Sequence, residues 1–201
     1  MNFLAHLYLS GTNDRIKIGN FMGDGVRGKD YENFHTDIKI GILLHREIDT
    51  FTDAHQIFRQ SKHRFAIKYN HFSGIITDMV YDHFLCKNWK SYSEEPLTDF
   101  TQNFYDALLC HYDELNERTK GIFPYMKKNN WLYNYQFLDF LEIILGQMDN
   151  RFKGPSQMKE SIFELNKDYS LFEEEFTLFF SELIVFASNK RKELEIKFSS
   201  Q

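Results

Sequence analysis

The sequence predicts an all-α, single-domain helical bundle, and three observations carry that expectation. Apolar residues recur at intervals of three and four through the long segments, β-branched alternation is almost absent, and only Pro96, Pro124 and Pro155 interrupt the chain. At 201 residues one domain, 1–201, is expected, and a chain of that size buries about 70% of the surface its unfolded form exposes. Phenylalanine alone contributes 21 residues, so large rings can fill the core.

Taken in order, the chain opens on a short apolar stretch, Asn2 to Leu7, with His6 inside it. A second helix is expected over roughly 14–26, containing Gly19 and Gly23 one turn apart. Glycine costs about 1 kcal/mol relative to alanine inside a helix, so either close helix packing or a backbone approach near Asp24 needs the smooth face. Residues 38–58 repeat Ile38, Ile42, Leu43, Ile48, Phe51 and Phe58, with Thr36 as the expected N-cap. Residues 72–89 continue as a largely apolar helix, and 97–117, about 130–150 and 169–196 supply three more. Pro96 and Pro155 fall near first-turn positions, where a missing N–H is harmless. Gly, Pro and Lys mark 118–129 and 151–156 as loops.

Composition narrows the function classes. The net charge of −5 gives no general attraction to nucleic acid. No run approaches the roughly 18 apolar residues of a membrane span. Met1 to His6 lacks the basic start and cleavage site of a secretory signal, and Cys86 and Cys110 fit free thiols in a reducing compartment. A cytoplasmic location is therefore expected. A basic run from Arg59 to Lys68, with Lys62 and Arg64, stands out on the acidic chain; it is either a solvated helix face or a dock for an acidic partner.

The chemistry concentrates in the first half. His45 and Asp49, Asp49 and Asp53, and Asp78 and Asp82 each sit four residues apart, with His83 after Asp82. Such pairs share a helix face, their Cβ atoms about 5–6 Å apart. Burying imidazoles and carboxylates unpaired costs several kcal/mol each, which pairing, hydrogen bonds or a metal removes. A divalent cation held by His6, Asp24, His45, Asp49, Asp82 and His83 is the expectation. His83 is turned about 100° from Asp82 and joins only if its side chain swings back; otherwise it is a hydrogen-bonded core histidine. Asp53 lies about 12 Å along the axis from His45 at 1.5 Å per residue, so it serves an outer role or a second ion, as Asp78 and His55 also could. Asp24 and Asp49 are the candidate catalytic carboxylates, and Arg27 offers an anion its fork of donors. Histidine and aspartate without cysteine favour Mn²⁺, Fe²⁺ or Mg²⁺ over structural zinc. Such an ion lowers the pKa of water and polarises a phosphoryl oxygen, which points to phosphoester hydrolysis.

On these residues the chain resembles a known family. Met1-Asn2-Phe3-Leu4-Ala5-His6-Leu7, Gly19-Asn20 leading to Asp24-Gly25-Val26-Arg27-Gly28, His45-Arg46-Glu47-Ile48-Asp49 with Thr52-Asp53, and Asp82-His83-Phe84-Leu85 with Trp89 are similar, in order and separation, to acyl carrier protein phosphodiesterases. Asn130-Trp131-Leu132 with Tyr135, and Gly146 with Met148 and Arg151, extend the likeness. The resemblance implies a cytoplasmic bacterial enzyme that uses manganese. It would hydrolyse the phosphodiester joining 4′-phosphopantetheine to a serine of holo-acyl carrier protein, giving the apo form. It also implies kinship with the helical HD phosphohydrolases, although this chain carries Asp82-His83 rather than a His-Asp dipeptide. Holo-acyl carrier protein, being acidic, would meet Arg46, Arg59, Lys62 and Arg64. Two rival readings stand beside this one: an HD-like phosphohydrolase acting on a nucleotide or other small phosphoester, and a non-catalytic helical module that binds carrier protein. Oligomeric state is not set by the sequence.

Overall fold

Among the residues described by the computed structural model, 3–150 and 156–199, every regular element is helical. Pro155 and Arg151, with the first part of the expected 151–156 loop, lie outside them, as do Met1 and Asn2. The short apolar stretch forms α1 (Phe3–Leu9). Asn13 then caps α2 (Asp14–Met22), its side chain accepting from the amides of Arg15 and Ile16. The chain leaves α2 through a 3-10 turn, Gly23–Gly25, that carries Asp24.

The expected 38–58 helix is two helices, α3 (Thr36–Ala54) and α4 (Gln56–Tyr69). His35 rather than Thr36 caps α3, accepting from the Asp37 amide. The break falls at His55, whose extended backbone and Nδ1, accepting from the Ile57 amide, start α4 afresh. Apolar spacing runs on from Phe51 to Phe58 because both helices face the same core, so periodicity alone hides the corner. The next helices are α5 (Ser73–Lys87) and α6 (Leu97–Cys110).

The expected loop at 118–129 is instead helix α7 (Glu117–Lys128). Asn116 caps it by accepting from the Thr119 amide at 2.8 Å, and Thr119, Phe123 and Met126 bury one face. Pro124 sits inside this helix on its exposed side; packing of the opposite face outweighs the single lost backbone bond. The 130–150 segment divides into α8 (Trp131–Asn134) and α9 (Leu138–Asp149), and the chain ends with α10 (Ser161–Lys167) and the 31-residue α11 (Tyr169–Ser199). Phe172, Phe176, Phe179 and Phe180 of α11 are fully buried and stack into a ring-rich core with Phe58, Phe65 and Tyr81.

The most extensive helix pairing is α2 against α3. A Cβ on Gly19 would stand 2.2 Å from the Ile38 carbonyl oxygen, and one on Gly41 2.2 Å from that of Ile16. No side chain fits between the two backbones. This seam fixes where the ends of α2 and α3 stand relative to each other.

Candidate metal centre

The ligand-type side chains arrive from three local structures: His6 from α1, Asp24 from the 3-10 turn, and His45 with Asp49 from α3. Buried in α1, His6 is 2% exposed, with Nδ1 2.7 Å from Asn20 Oδ1. The Asn20 amide nitrogen donates to the His6 carbonyl at 3.0 Å and to Ser10 Oγ at 2.9 Å, so Oδ1 is the face it presents to the ring. His45, in α3, points Nδ1 at the Asn20 main-chain carbonyl, 2.8 Å away. One residue of α2 therefore anchors the outer nitrogen of both imidazoles. Gly23 makes room for the second ring: a Cβ there would lie 2.2 Å from His45 Cγ.

The two rings stack, centroids 4.1 Å apart and 20° from parallel. Both turn Nε2 toward Asp49, one turn below His45 on α3. His6 Nε2 is 3.3 Å from Asp49 Oδ1, and His45 Nε2 is 3.0 Å from Asp49 Oδ2. One donor atom from each of His6, His45 and Asp49 lies within 4.8 Å of the others. Asp24 closes the group from the 3-10 turn, its Oδ1 3.2 Å from His45 Nε2. Its other oxygen faces Arg118 of α7 at 3.4 Å.

The electrostatics follow from that crowding. Burial and the adjacent His45 charge lower His6 to about 4, so it is neutral at pH 7. Burial lowers His45 too, but the Asp24 and Asp49 carboxylates outweigh it and raise the ring to about 9. Asp49 is pushed up by burial and, more strongly, held well below the usual carboxylate range by hydrogen bonds from His45 and His6. The hydrogen bond from His45 likewise lowers Asp24. A neutral His6 has one ring proton to place between two acceptors, Asn20 Oδ1 and Asp49 Oδ1. A cation at Nε2 removes that conflict. Outer nitrogens tied to carbonyl oxygens with inner nitrogens converging on a carboxylate are the arrangement that ligating histidines use.

Above the cluster lies a cavity of about 360 Å³ lined by Asp24, Asp49, Thr52, Asp53, Asp78 and Arg118 together with Phe3, Ile75, Met79 and Met148. Thr52 Oγ1 is buried on this wall with no hydrogen-bond partner among the described residues. Asp53 is exposed on the rim, and Asp78 is raised by burial. Four carboxylates beside a single arginine, over a ring of acceptor atoms, suit a hard divalent cation.

Other expected residues are occupied elsewhere. Asp82 is fully buried on α5, where its two oxygens accept from the Leu4 and Ala5 amides at 2.7 and 3.1 Å. It caps the start of α1, accepting from the orphan N–H groups there, and stands outside the ligand cluster. Burial raises it to about 7 against those two bonds. His83 is the core histidine of the alternative reading: Nδ1 donates to the Tyr135 carbonyl at 2.8 Å and Nε2 accepts from the Tyr169 hydroxyl at 2.7 Å. His55 caps α4 and meets Glu182 at 3.3 Å, so it takes no outer role at the cluster.

Arg27 is exposed and does not line the cavity; Arg118, ninety-four positions from Asp24, stands where an anion-binding fork was expected. Arg46 is committed to the Val26 carbonyl at 3.0 Å and to the Tyr31 ring, and Arg64 to Glu175 at 2.7 Å and the Phe172 ring. These two hold the fold together and are not free for a partner. Arg59, exposed, lines an open groove with Gln56, Gln60 and His63 that begins one residue after Asp53. Lys62 extends toward Gly74 at the start of α5. Asn20, Thr52 and Arg118 were not singled out for a role by sequence reasoning. Of the three, Asn20 and Thr52 lie inside the blocks that carry the resemblance.

No helix of the described residues is long and apolar enough to cross a membrane. No solved structure matches the chain. Among curated proteins, the chain is 31% identical over 192 residues to an acyl carrier protein phosphodiesterase of Enterobacter sp. (strain 638), covering 95% of this chain and 100% of that one. It is 30% identical to that of Yersinia pestis over the same shares, and 31% identical to that of Photorhabdus laumondii subsp. laumondii over 94% and 96%. The sequence profile for acyl carrier protein phosphodiesterase matches residues 1–183. This chain belongs to the acyl carrier protein phosphodiesterase family, a family of enzymes.

Proposed function

We propose that this protein hydrolyses the phosphodiester joining 4′-phosphopantetheine to the serine of holo-acyl carrier protein, with Mn²⁺ as the preferred cation and Fe²⁺ or Mg²⁺ as substitutes. The observation that carries the reading is the stacked His6–His45 pair, anchored through Asn20 and converging on Asp49. His6, His45 and Asp49 would hold the cation, with Asp24 at its edge. A divalent cation there lowers the pKa of a water and polarises a phosphoryl oxygen.

The chain's own groups do the rest. Arg118 supplies a planar fork to the phosphate at the cavity rim, a stronger match to a tetrahedral anion than a point charge. Asp24 orients both Arg118 and an incoming water by accepting hydrogen bonds. Water adds its hydroxyl to phosphorus, its proton goes to the serine oxygen, and the P–O(Ser) bond breaks. The groove around Arg59, with Lys62 nearby, borders the Asp53 rim and offers an acidic carrier protein positive charge beside the scissile bond.

The test is mass spectrometry of holo-carrier protein incubated with the protein, with Mn²⁺ and with chelator. Loss of the phosphopantetheine mass only with metal supports the reading. An intact carrier protein under both conditions, with turnover of a free nucleotide instead, would replace it with the small-phosphoester alternative.

A further inference from the structure

The acidic cavity adjoins a second, apolar one of about 120 Å³. Phe3, Met79, Arg118 and Met148 form a wall common to both, so one arginine guanidinium stands at their junction. The far side of the apolar cavity is made by Ile122 of α7, by Trp131 and Tyr135 around α8, and by Ile144 and Gln147 of α9. Trp131, Ile122 and Met148 are only half-buried, which leaves apolar surface facing an open space next to four carboxylates. A space lined this way holds hydrocarbon in preference to water. The acidic cavity thus shares its Arg118 wall with an apolar pocket, while the groove around Arg59 begins one residue past Asp53.

Size and order identify the occupant. An apolar cavity of about 150 Å³ takes up a benzene-sized guest, so this smaller one suits a compact branched group of a few carbons and not a whole cofactor arm. In 4′-phosphopantetheine the carbon one step beyond the phosphoester CH₂ carries two methyl groups. With phosphate at Arg118, that quaternary carbon is the first bulky group along the arm.

Resting on the phosphodiesterase reading above, we infer that the cavity beside Arg118 seats the geminal-dimethyl carbon of the pantetheine arm, while the carrier protein lies on the Arg59 side. The enzyme then recognises the arm at its branched end, and the thiol end stays outside this pocket. Trp131 and Ile144 are specificity-determining side chains, and Gln147 stands at the exposed mouth.

The experiment compares two carrier proteins, one bearing the native arm and one bearing an arm whose two methyl groups are replaced by hydrogen. Each is offered to the wild-type protein and to Gln147→Trp, which fills the mouth from a surface position. Burial of two methyl groups corresponds to about a tenfold preference in kcat/KM for the native arm in the wild type, and that preference should collapse toward unity in the variant. Equal cleavage of both arms by the wild type, or a preference unchanged by Gln147→Trp, overturns the assignment of the cavity alone. Absence of cleavage of either carrier protein by the wild type overturns the phosphodiesterase reading, and this assignment with it.

Discussion

Replacing Asn20 with alanine tests the centre from outside the ligand set. Asn20 is fully buried, and its side chain makes three bonds: one to His6 Nδ1, one to the His6 carbonyl and one to Ser10 Oγ. Ser10 Oγ and the His6 carbonyl keep their own bond at 2.7 Å, so two of the partners retain a contact and the imidazole N–H loses its acceptor. A buried donor without its acceptor costs about 1–3 kcal/mol and each of the two further bonds about 1 kcal/mol, giving a loss of about 3–5 kcal/mol. For a domain of this size that is a fall in Tm of roughly 6–20 °C. The Mn²⁺ affinity should drop about 10- to 100-fold, the usual effect of removing an outer partner of a ligating histidine. It should not vanish, because His45 is held by the Asn20 main-chain carbonyl, which alanine preserves. Isothermal titration with Mn²⁺ on the folded variant, alongside a thermal melt, reads both quantities. A lowered Tm with unchanged Mn²⁺ affinity would show that Asn20 serves packing alone and would refute the argument from the anchored rings.

Four more outcomes follow from the geometry. Arg118→Ala should lower kcat/KM for the diester by about a hundredfold, the low end for loss of one donor to a reacting anion because the side chain is half exposed; steady-state kinetics on a chromogenic diester measures it. Charge reversal at Arg59 and Lys62 should raise KM for holo-carrier protein and weaken its salt dependence while leaving kcat on a small diester in place. The same reversal at Arg64 should instead unfold the α4–α11 contact, since Arg64 is bonded to Glu175. Burial lowers His83 below its unfolded value near 6.5, so the unfolded chain binds the extra proton first, and the stability contribution is present above pH 6.5 and lost as pH falls below it. Denaturation curves between pH 7 and 5 should be flatter for His83→Gln than for the wild type.

Where the sequence was legible, one element carried its own signal. The last helix, α11, announces itself by apolar spacing throughout 169–196, and His45 with Asp49 by a one-turn interval on an otherwise apolar face. Where it was not, the deciding partner lay far along the chain. Asp82 shows the same pattern as Asp49, a carboxylate one turn from another on a buried helix. Nothing local distinguishes a carboxylate that faces two imidazoles from one that receives the amides of Leu4 and Ala5. Arg118 sits in a polar stretch whose Gly and Pro read as a loop, and only the fold carries it to Asp24. The corner at His55 was invisible because the core on both sides of it is continuous.

The glycine seam between α2 and α3 has a consequence for how this centre can change. Backbones in direct contact leave no intervening side chain whose size could be trimmed or enlarged, so the distance between the Asn20 anchor and His45 lacks an adjustable shim. Variation in this lineage would have to retune substrate choice at the walls, through positions such as Gln147 or Arg59, while the inner geometry stays fixed. Anyone transplanting the centre onto another bundle would have to carry the two facing glycines along with the ligands.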